Sequence, residues 1–202
     1  MSYAVLSQLK GSLSIADTTD INDDLLQLAL DSATEQIDAF CGRTFAAAGT
    51  ATATRYYPAY KADQVEVDDM ASAPTSLSYS SNRDGVYDVP VASSSYALLP
   101  TNGTSDGMAW PYTSIRLIDT TTFPISRGGE PTVAVTAVFA FGRVPSAIVR
   151  ACIVQASRLH ARNYSPYGVA GIGDMGVMQI RAGLDVDVQE LLLPYRKIRG
   201  VL

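Results

Sequence analysis

The sequence predicts an α+β fold: a helical bundle core formed by residues 1–45 and 143–202, with an antiparallel β-sheet or small sandwich inserted over residues 46–142. Three observations carry this expectation. Apolar residues recur at helical spacing in "DDLLQLALDSATEQIDAF" and again in "SAIVRACIVQASRLHAR". The stretch between them is rich in Thr, Ser, Tyr, Pro and Gly, and holds short apolar or alternating runs broken by turn residues. With 202 residues, 47% of them hydrophobic, the chain can bury a core as one large domain or two small ones.

A short helix is expected around Ala4 to Leu13, offering Val5, Leu6, Leu9 and Leu13. In the longer helix that follows, Asp20 suits an N-cap, Asp23 and Asp24 sit where carboxylates oppose the positive end of the helix dipole, and Gly42 suits the C′ position. Leu26, Leu30, Ala33, Ile37 and Phe40 form one stripe that calls for a helical partner. The β-rich middle reads as strands at "TRYYPAY", "VEV", "LSYS", "VYDV", "YALL", "SIRLI" and "TVAVTAVFAF", separated by turn signals such as "NRDG", "TNG" and "RGG". Helix returns after Pro145, which suits a first turn, and ends by Pro166. Its apolar face holds Ile148, Cys152 and Leu159 with Ala151, Val154 and Ala156. Arg150, Arg158 and Arg162 lie within about 120° of one another on it. A glycine cluster, a possible strand "VMQI" and a closing helix capped by Asp185 complete the chain. No repeat of solenoid length is visible.

Several function classes are disfavoured. The longest strongly apolar run, Val133 to Phe141, is far short of the roughly twenty residues of a bilayer-spanning helix. The N-terminus lacks the pattern of a secretion signal, so cytosolic residence is the default expectation and no membrane partner is expected. Cys41, Cys152 and the single His160 cannot make a Cys/His zinc set, and the two thiols are expected reduced and buried. His160, between Arg158 and Arg162, is expected at a surface or interface. From Arg143 onward there are eight basic side chains against four acidic ones, in a chain of net charge −5. Such segregation can steer the basic end of one copy to the acidic part of another, or present a basic face to phosphate.

"GVAGIGDMG" contains a literal G-x-G-x-x-G at Gly171, Gly173 and Gly176. A dinucleotide-binding turn needs a strand before it and a helix after it, so that helix N-terminal amides meet the pyrophosphate. Here a helix precedes and "GVMQIR" follows, so no cofactor is expected. Gly168, Gly171, Gly173, Met175 and Gly176 instead describe a loop with apolar surface suited to ordering against a neighbour. Asp68 and Asp69 could hold a divalent ion, but adjacent strand residues point to opposite faces, and a strand running into a turn is the favoured reading. Tyr56, Tyr57, Tyr60, Trp110, Tyr112, Tyr164, Tyr167 and Tyr195 are a large supply of amphipathic anchors, about half of them expected in the core.

Taken together and in order, "DDLLQLALDSATEQIDAFCGRTF", "VFAFGRVPSAIVRACIVQASRLHAR", "SPYGVAG" and "DVDVQELLLPYRKIR" resemble the head-tail connector, or adaptor, proteins of long-tailed bacteriophages. The likeness extends into the middle through "VEVDDM", "YALLPTNG" and "WPYTSIRLI". It implies a non-enzymatic virion protein of the head-tail neck, assembled in the host cytoplasm. It implies a dodecameric ring below the portal protein that extends the DNA channel and docks a downstream neck or tail-completion protein. By the same resemblance Leu192, Pro194, Tyr195, Arg196 and Arg199 belong to a segment contacting the portal or a ring neighbour. The glycine loop would meet adjacent subunits or line the channel. The stripe of Arg150, Arg158 and Arg162 would face passing double-stranded DNA without sequence-specific binding, or pair with Asp31, Glu35 and Asp38 of a neighbouring copy; the subunit contact is preferred. Two alternatives stand beside this reading: a metal-dependent enzyme using Asp68 and Asp69, and a stand-alone double-stranded DNA binder using the arginine stripe.

Overall fold

The computed structural model describes residues 2–18, 22–45, 49–105, 107–163, 169–171, 177–179 and 183–197. The chain divides into two compact units, residues 1–45 with 144–202, and residues 46–143. The first is helical: α1 (Leu6–Ser12), α2 (Asp23–Cys41), α3 (Ser146–Arg162) and α4 (Val186–Leu192), the last running into a 3₁₀ turn at Leu193–Tyr195.

The α2 stripe is buried as its spacing predicts. Leu26, Leu30, Ala33 and Ile37 are fully buried, and Cys41 takes the next core position while Phe40 is only half-buried. The helix packs on α3, whose buried side carries Ile148, Ala151, Cys152, Gln155, Ala156 and His160. Both cysteines are free and buried, and burial pushes the Cys41 thiol up to about 11. His160 is thus a core group, correcting its expected place at a surface: it lies on the side of α3 that the bundle covers. Leu159 and Val154 are only half-buried. The α2 helix starts at Asp23 with Asn22 in the N-cap position, and its side chain makes no capping bond; Asp20 lies outside the described residues. At the other end Gly42 closes α2 in the left-handed region at φ 65° and donates its N–H to Asp38 O. Pro145 is the N-cap residue of α3 and not its first helical residue.

In α1 Leu9 is buried as expected, and so, unforeseen, is Lys10. The Lys10 ammonium lies 2.8 Å from the Asp23 carboxylate and also donates to the carbonyl of Asp17. The Lys10 side chain is 4% exposed and that of Asp23 28%, so the two halves of this pair are not equivalent. Asp23→Ala takes a carboxylate away from a cation in a nearly dry site and is expected to cost about 2 kcal/mol, whereas Lys10→Met removes that cation itself and should cost less. Urea denaturation of the two variants checks this order.

The second unit is all-β, with two antiparallel sheets. One has strand order β1 (Ala53–Tyr57), β9 (Val133–Ala137), β3 (Ser76–Tyr79), β4 (Val89–Pro90). The other has order β2 (Gln64–Met70), β8 (Tyr112–Leu117), β5 (Tyr96–Leu99). A small hairpin pairs β6 (Thr104–Ser105) with β7 (Met108–Ala109). The central strand β9 pairs Tyr57 with Val133 on one side and Leu77 with Val135 on the other. Val65, Val67 and Met70 of β2 and Ile115 and Leu117 of β8 meet Leu77, Val133, Val135 and Ala137 in one hydrophobic cluster with Phe123. The expected small sandwich therefore has one shared core.

The turn at "RGG" is built by a carboxylate. Gly129 sits at φ 86°, which favours glycine, and Glu130 accepts hydrogen bonds from the N–H groups of Arg127 and Gly128 at 2.9 and 2.7 Å. These bonds hold the Glu130 carboxyl down to about 2. Because the folded value is the lower one, its contribution to stability is complete above the ordinary carboxylate range, near 4.5, and fades as pH falls toward 2. Glu130→Gln is expected to flatten the pH dependence of unfolding within that window and to leave it unchanged above pH 6, as read by thermal denaturation across pH.

In the remaining segment, Val169–Gly171 forms β10 and pairs antiparallel with β11 (Val177–Gln179), with Val169 opposite Gln179. The "VMQI" expectation is met over Val177–Gln179.

Candidate assembly surfaces

The outward features of the helical unit follow from how its C-terminal segment is seated. Asp185 caps α4, its carboxylate accepting the N–H of Asp187 at 2.9 Å. The same carboxylate forms an ion pair with Arg158 of α3. Gln155, 1% exposed, donates to Gln36 Oε1 at 2.7 Å and to the Gly183 carbonyl at 3.3 Å, and accepts the N–H of Asp185 at 3.2 Å. One buried amide thus joins α2, α3 and the entry to α4. Its signal in the sequence is its position: Ile148, Cys152 and Gln155 follow the i, i+4, i+7 pattern of a buried stripe, so the glutamine occupies a core site where it must be fully bonded.

Beyond α4 the chain folds back across the end of α2. Lys197 donates its N–H to the Cys41 carbonyl at 2.7 Å, and the Arg196 guanidinium stands 5.5 Å from the Phe40 ring centre. Tyr195 meets Phe45 edge-to-face at 5.8 Å, and Phe45 meets Tyr3 in the same way at 5.8 Å. The Tyr3 hydroxyl donates to Asp38 and accepts the Phe45 N–H at 2.8 Å. Burial, reinforced by the bond to Asp38, raises the Tyr3 phenol above its usual range.

This arrangement sorts the residues singled out from the sequence. Leu192 and Tyr195 are buried in the chain's own bundle. Leu193, Pro194 and Arg196 are the exposed members of that segment, and Arg199 lies outside the described residues. Arg150 is exposed, Arg158 is engaged with Asp185, and Arg162 is half-buried. Of the acidic side chains considered as their partners, Asp38 is bonded to Tyr3, while Asp31 and Glu35 are exposed on α2. Gly171 ends β10; Gly168, Gly173, Met175 and Gly176 lie outside the described residues. The next described element after the glycines is the strand β11, as their sequence context led one to expect, but the element leading into them is the strand β10 and not the helix α3, which corrects that half of the expectation.

Within the β unit, Asp68 and Asp69 lie inside β2. The Asp68 carboxylate is 2.6 Å from the Arg55 guanidinium and accepts the Tyr57 hydroxyl at 3.1 Å, while Arg55 covers the Phe139 ring at 4.3 Å. Among the described residues, no three His, Cys, Asp or Glu side chains gather where one ion could be shared. Of the aromatic anchors, Tyr56 and Tyr60 are exposed, Tyr57, Trp110 and Tyr112 are half-buried, and Tyr164 and Tyr167 lie outside the described residues. Among the described residues no helix is long and apolar enough to cross a membrane.

The sequence matches no protein-family model, and no curated protein matches it. Solved structures do match in fold. A chain in the neck of an empty gene transfer agent (GTA) particle, computed with C6 symmetry, aligns over 96% of this chain and 89% of its own length, with a TM-score of 0.55 at 17% identity. The fold is shared with a gene transfer agent neck. A chain of the virion of a native GTA particle aligns over the same shares, with a TM-score of 0.50 at 16% identity. The likeness spans nearly the whole chain, so it takes in both the helical bundle and the β unit.

Proposed function

We propose that the protein is a structural subunit of a phage-type neck, a head-tail connector that forms a ring below the portal, extends the DNA channel and docks the next neck or tail protein. The reading is carried by the fold shared with a neck chain over 96% of this chain, and is supported by the four ordered segments that resemble phage adaptors. The ring is dodecameric, to match the portal, and the chemistry is that of surfaces with no reaction catalysed. The exposed Leu193, Pro194 and Arg196, together with Arg199, contact the portal or a ring neighbour, while Leu192 and Tyr195 hold that segment in place from within. The glycine loop meets adjacent subunits or lines the channel. A subunit of net charge −5 suits a conduit through which DNA slides, because each phosphate neutralised by the protein would add salt-sensitive affinity.

Purified protein mixed with its cognate portal and viewed by electron microscopy should show a ring capping the portal. Failure to bind at any salt concentration would overturn the reading. Duplex titration separates it from the stand-alone DNA binder: a steep salt slope with loss of affinity in Arg158→Ala would favour the binder. The connector reading expects neither.

A further inference from the structure

Two exposed stripes of the helical unit have complementary character. On α2, Asp24, Leu28, Asp31 and Glu35 follow the i, i+4, i+7, i+11 pattern, and at 3.6 residues per turn they fall within about 60° of one another. This stripe is centred roughly opposite the buried one, and all four of its members are exposed, Leu28 by 61%. Leu25, 43% exposed, widens it on one side. The result is an acidic ridge with leucine along its crest, and the bond that Asp31 accepts from Gln27 at 3.1 Å leaves its charge in place.

On α3 the outward side carries a groove, bounded by the end of α1 and lined by Ser12, Ala147, Val149, Arg150, Ile153 and Val154. Its lining is mainly aliphatic, with the hydroxyl side chains of Ser12 and Ser146 and one cation, Arg150. Since α2 and α3 bury their apolar faces against each other, ridge and groove lie on roughly opposite sides of the helix pair.

We propose that the α2 ridge of one copy of this chain seats in the α3 groove of the next, Leu28 entering among Val149, Ile153 and Val154 while Arg150 faces Asp31 and Glu35. The occupant is a second copy because the chain itself bears both halves of the match: apolar crest for apolar groove, and three carboxylates for the guanidinium. Two different patches on opposite sides of one subunit make a heterologous contact, and repetition of such a contact closes a ring when the rotation fits. The inference rests on the ring reading above and names the surfaces that build the ring. It also narrows the arginine stripe: Arg158 belongs to the seating of α4, and Arg150 is the member that reaches outward.

Cysteine cross-linking of the full chain tests the contact, because the native Cys41 and Cys152 are fully buried. Leu28→Cys and Val149→Cys are prepared separately and mixed under mild oxidation, alone and on the cognate portal. The mixture should give a disulfide-linked dimer that neither variant gives alone, and the double variant should give a ladder ending at the ring size. Arg150→Glu on the Val149→Cys partner should cut the yield about tenfold by setting like charges together, and Asp31→Arg on the other partner should restore it. Rings seen by electron microscopy without this cross-link would overturn the proposed contact and leave the ring reading standing. No rings, on or off the portal, would overturn both. Cross-links formed only between like variants, or a yield indifferent to Arg150→Glu, would also overturn the contact.

Discussion

Ile37→Ala is expected to lower the unfolding free energy of the helical unit by about 3 kcal/mol, and Ile37→Val by about 1 kcal/mol. Ile37 is fully buried on α2, which packs on α3, so truncation removes core packing and leaves a void that packed neighbours fill only in part. In a domain whose net stability is about 5–15 kcal/mol, this is a large share. The chain has one tryptophan, Trp110, set 5.2 Å from the Phe141 ring inside the β unit, so two probes separate the two units. In a urea titration the ellipticity at 222 nm should lose its midpoint to Ile37→Ala while the Trp110 fluorescence transition stays in place. If both transitions move together, the two units unfold as one.

Gln155→Leu should have the next largest effect, about 2–3 kcal/mol, with a different distribution. The substitution keeps the volume but removes both ends of an amide that bonds Gln36, the Gly183 carbonyl and the Asp185 N–H, and a backbone group left buried without a partner carries its full desolvation cost. The loss falls on the docking of α4. Amide hydrogen exchange should quicken across residues 183–197 while α2 and α3 keep most of their protection. If the proposed connector role holds, binding to the portal should weaken with it, because Leu193, Pro194 and Arg196 would no longer be held in place. Arg158→Ala acts on the same junction through Asp185, so its effect should add to that of Gln155→Leu by less than the sum of the two alone. A strictly additive pair would show that the two groups seat α4 independently.

These effects are argued from elements whose legibility in the sequence differed. The α2 stripe, the αL cap at Gly42, the capping carboxylate of Asp185 and the strands β1, β2, β3, β5, β8 and β9 could be read from spacing and turn chemistry, whereas the short β6 and β7 were not, and the run "VYDV" meets β4 only at Val89. In each case the information is local: a period of 3.6 or 2, or one residue with a special backbone preference. The sequence also indicated that no helix follows the glycine cluster, and the strand β11 comes next; the strand β10 that leads into the cluster was not legible.

Other features became visible only with the chain folded. Lys10 lies in a helix read as apolar at Leu9 and Leu13, and its ammonium is met inside the bundle by Asp23, thirteen residues on. His160 looked like a surface group among arginines, yet α3 turns it inward. Leu192 and Tyr195 looked available to a partner and instead anchor their own segment, because Phe45, far away in sequence, stands edge-on to the Tyr195 ring. Arg158 looked like one of three equivalent cations until Asp185 was brought beside it. Periodicity determines which residues share a face of a helix or strand, and with it the α+β class and the pairing of α2 with a helical partner. Which face is covered, and by what, depends on contacts between residues distant in the chain, and only the tertiary structure could decide which polar groups are retained inside the bundle and which remain outward for assembly.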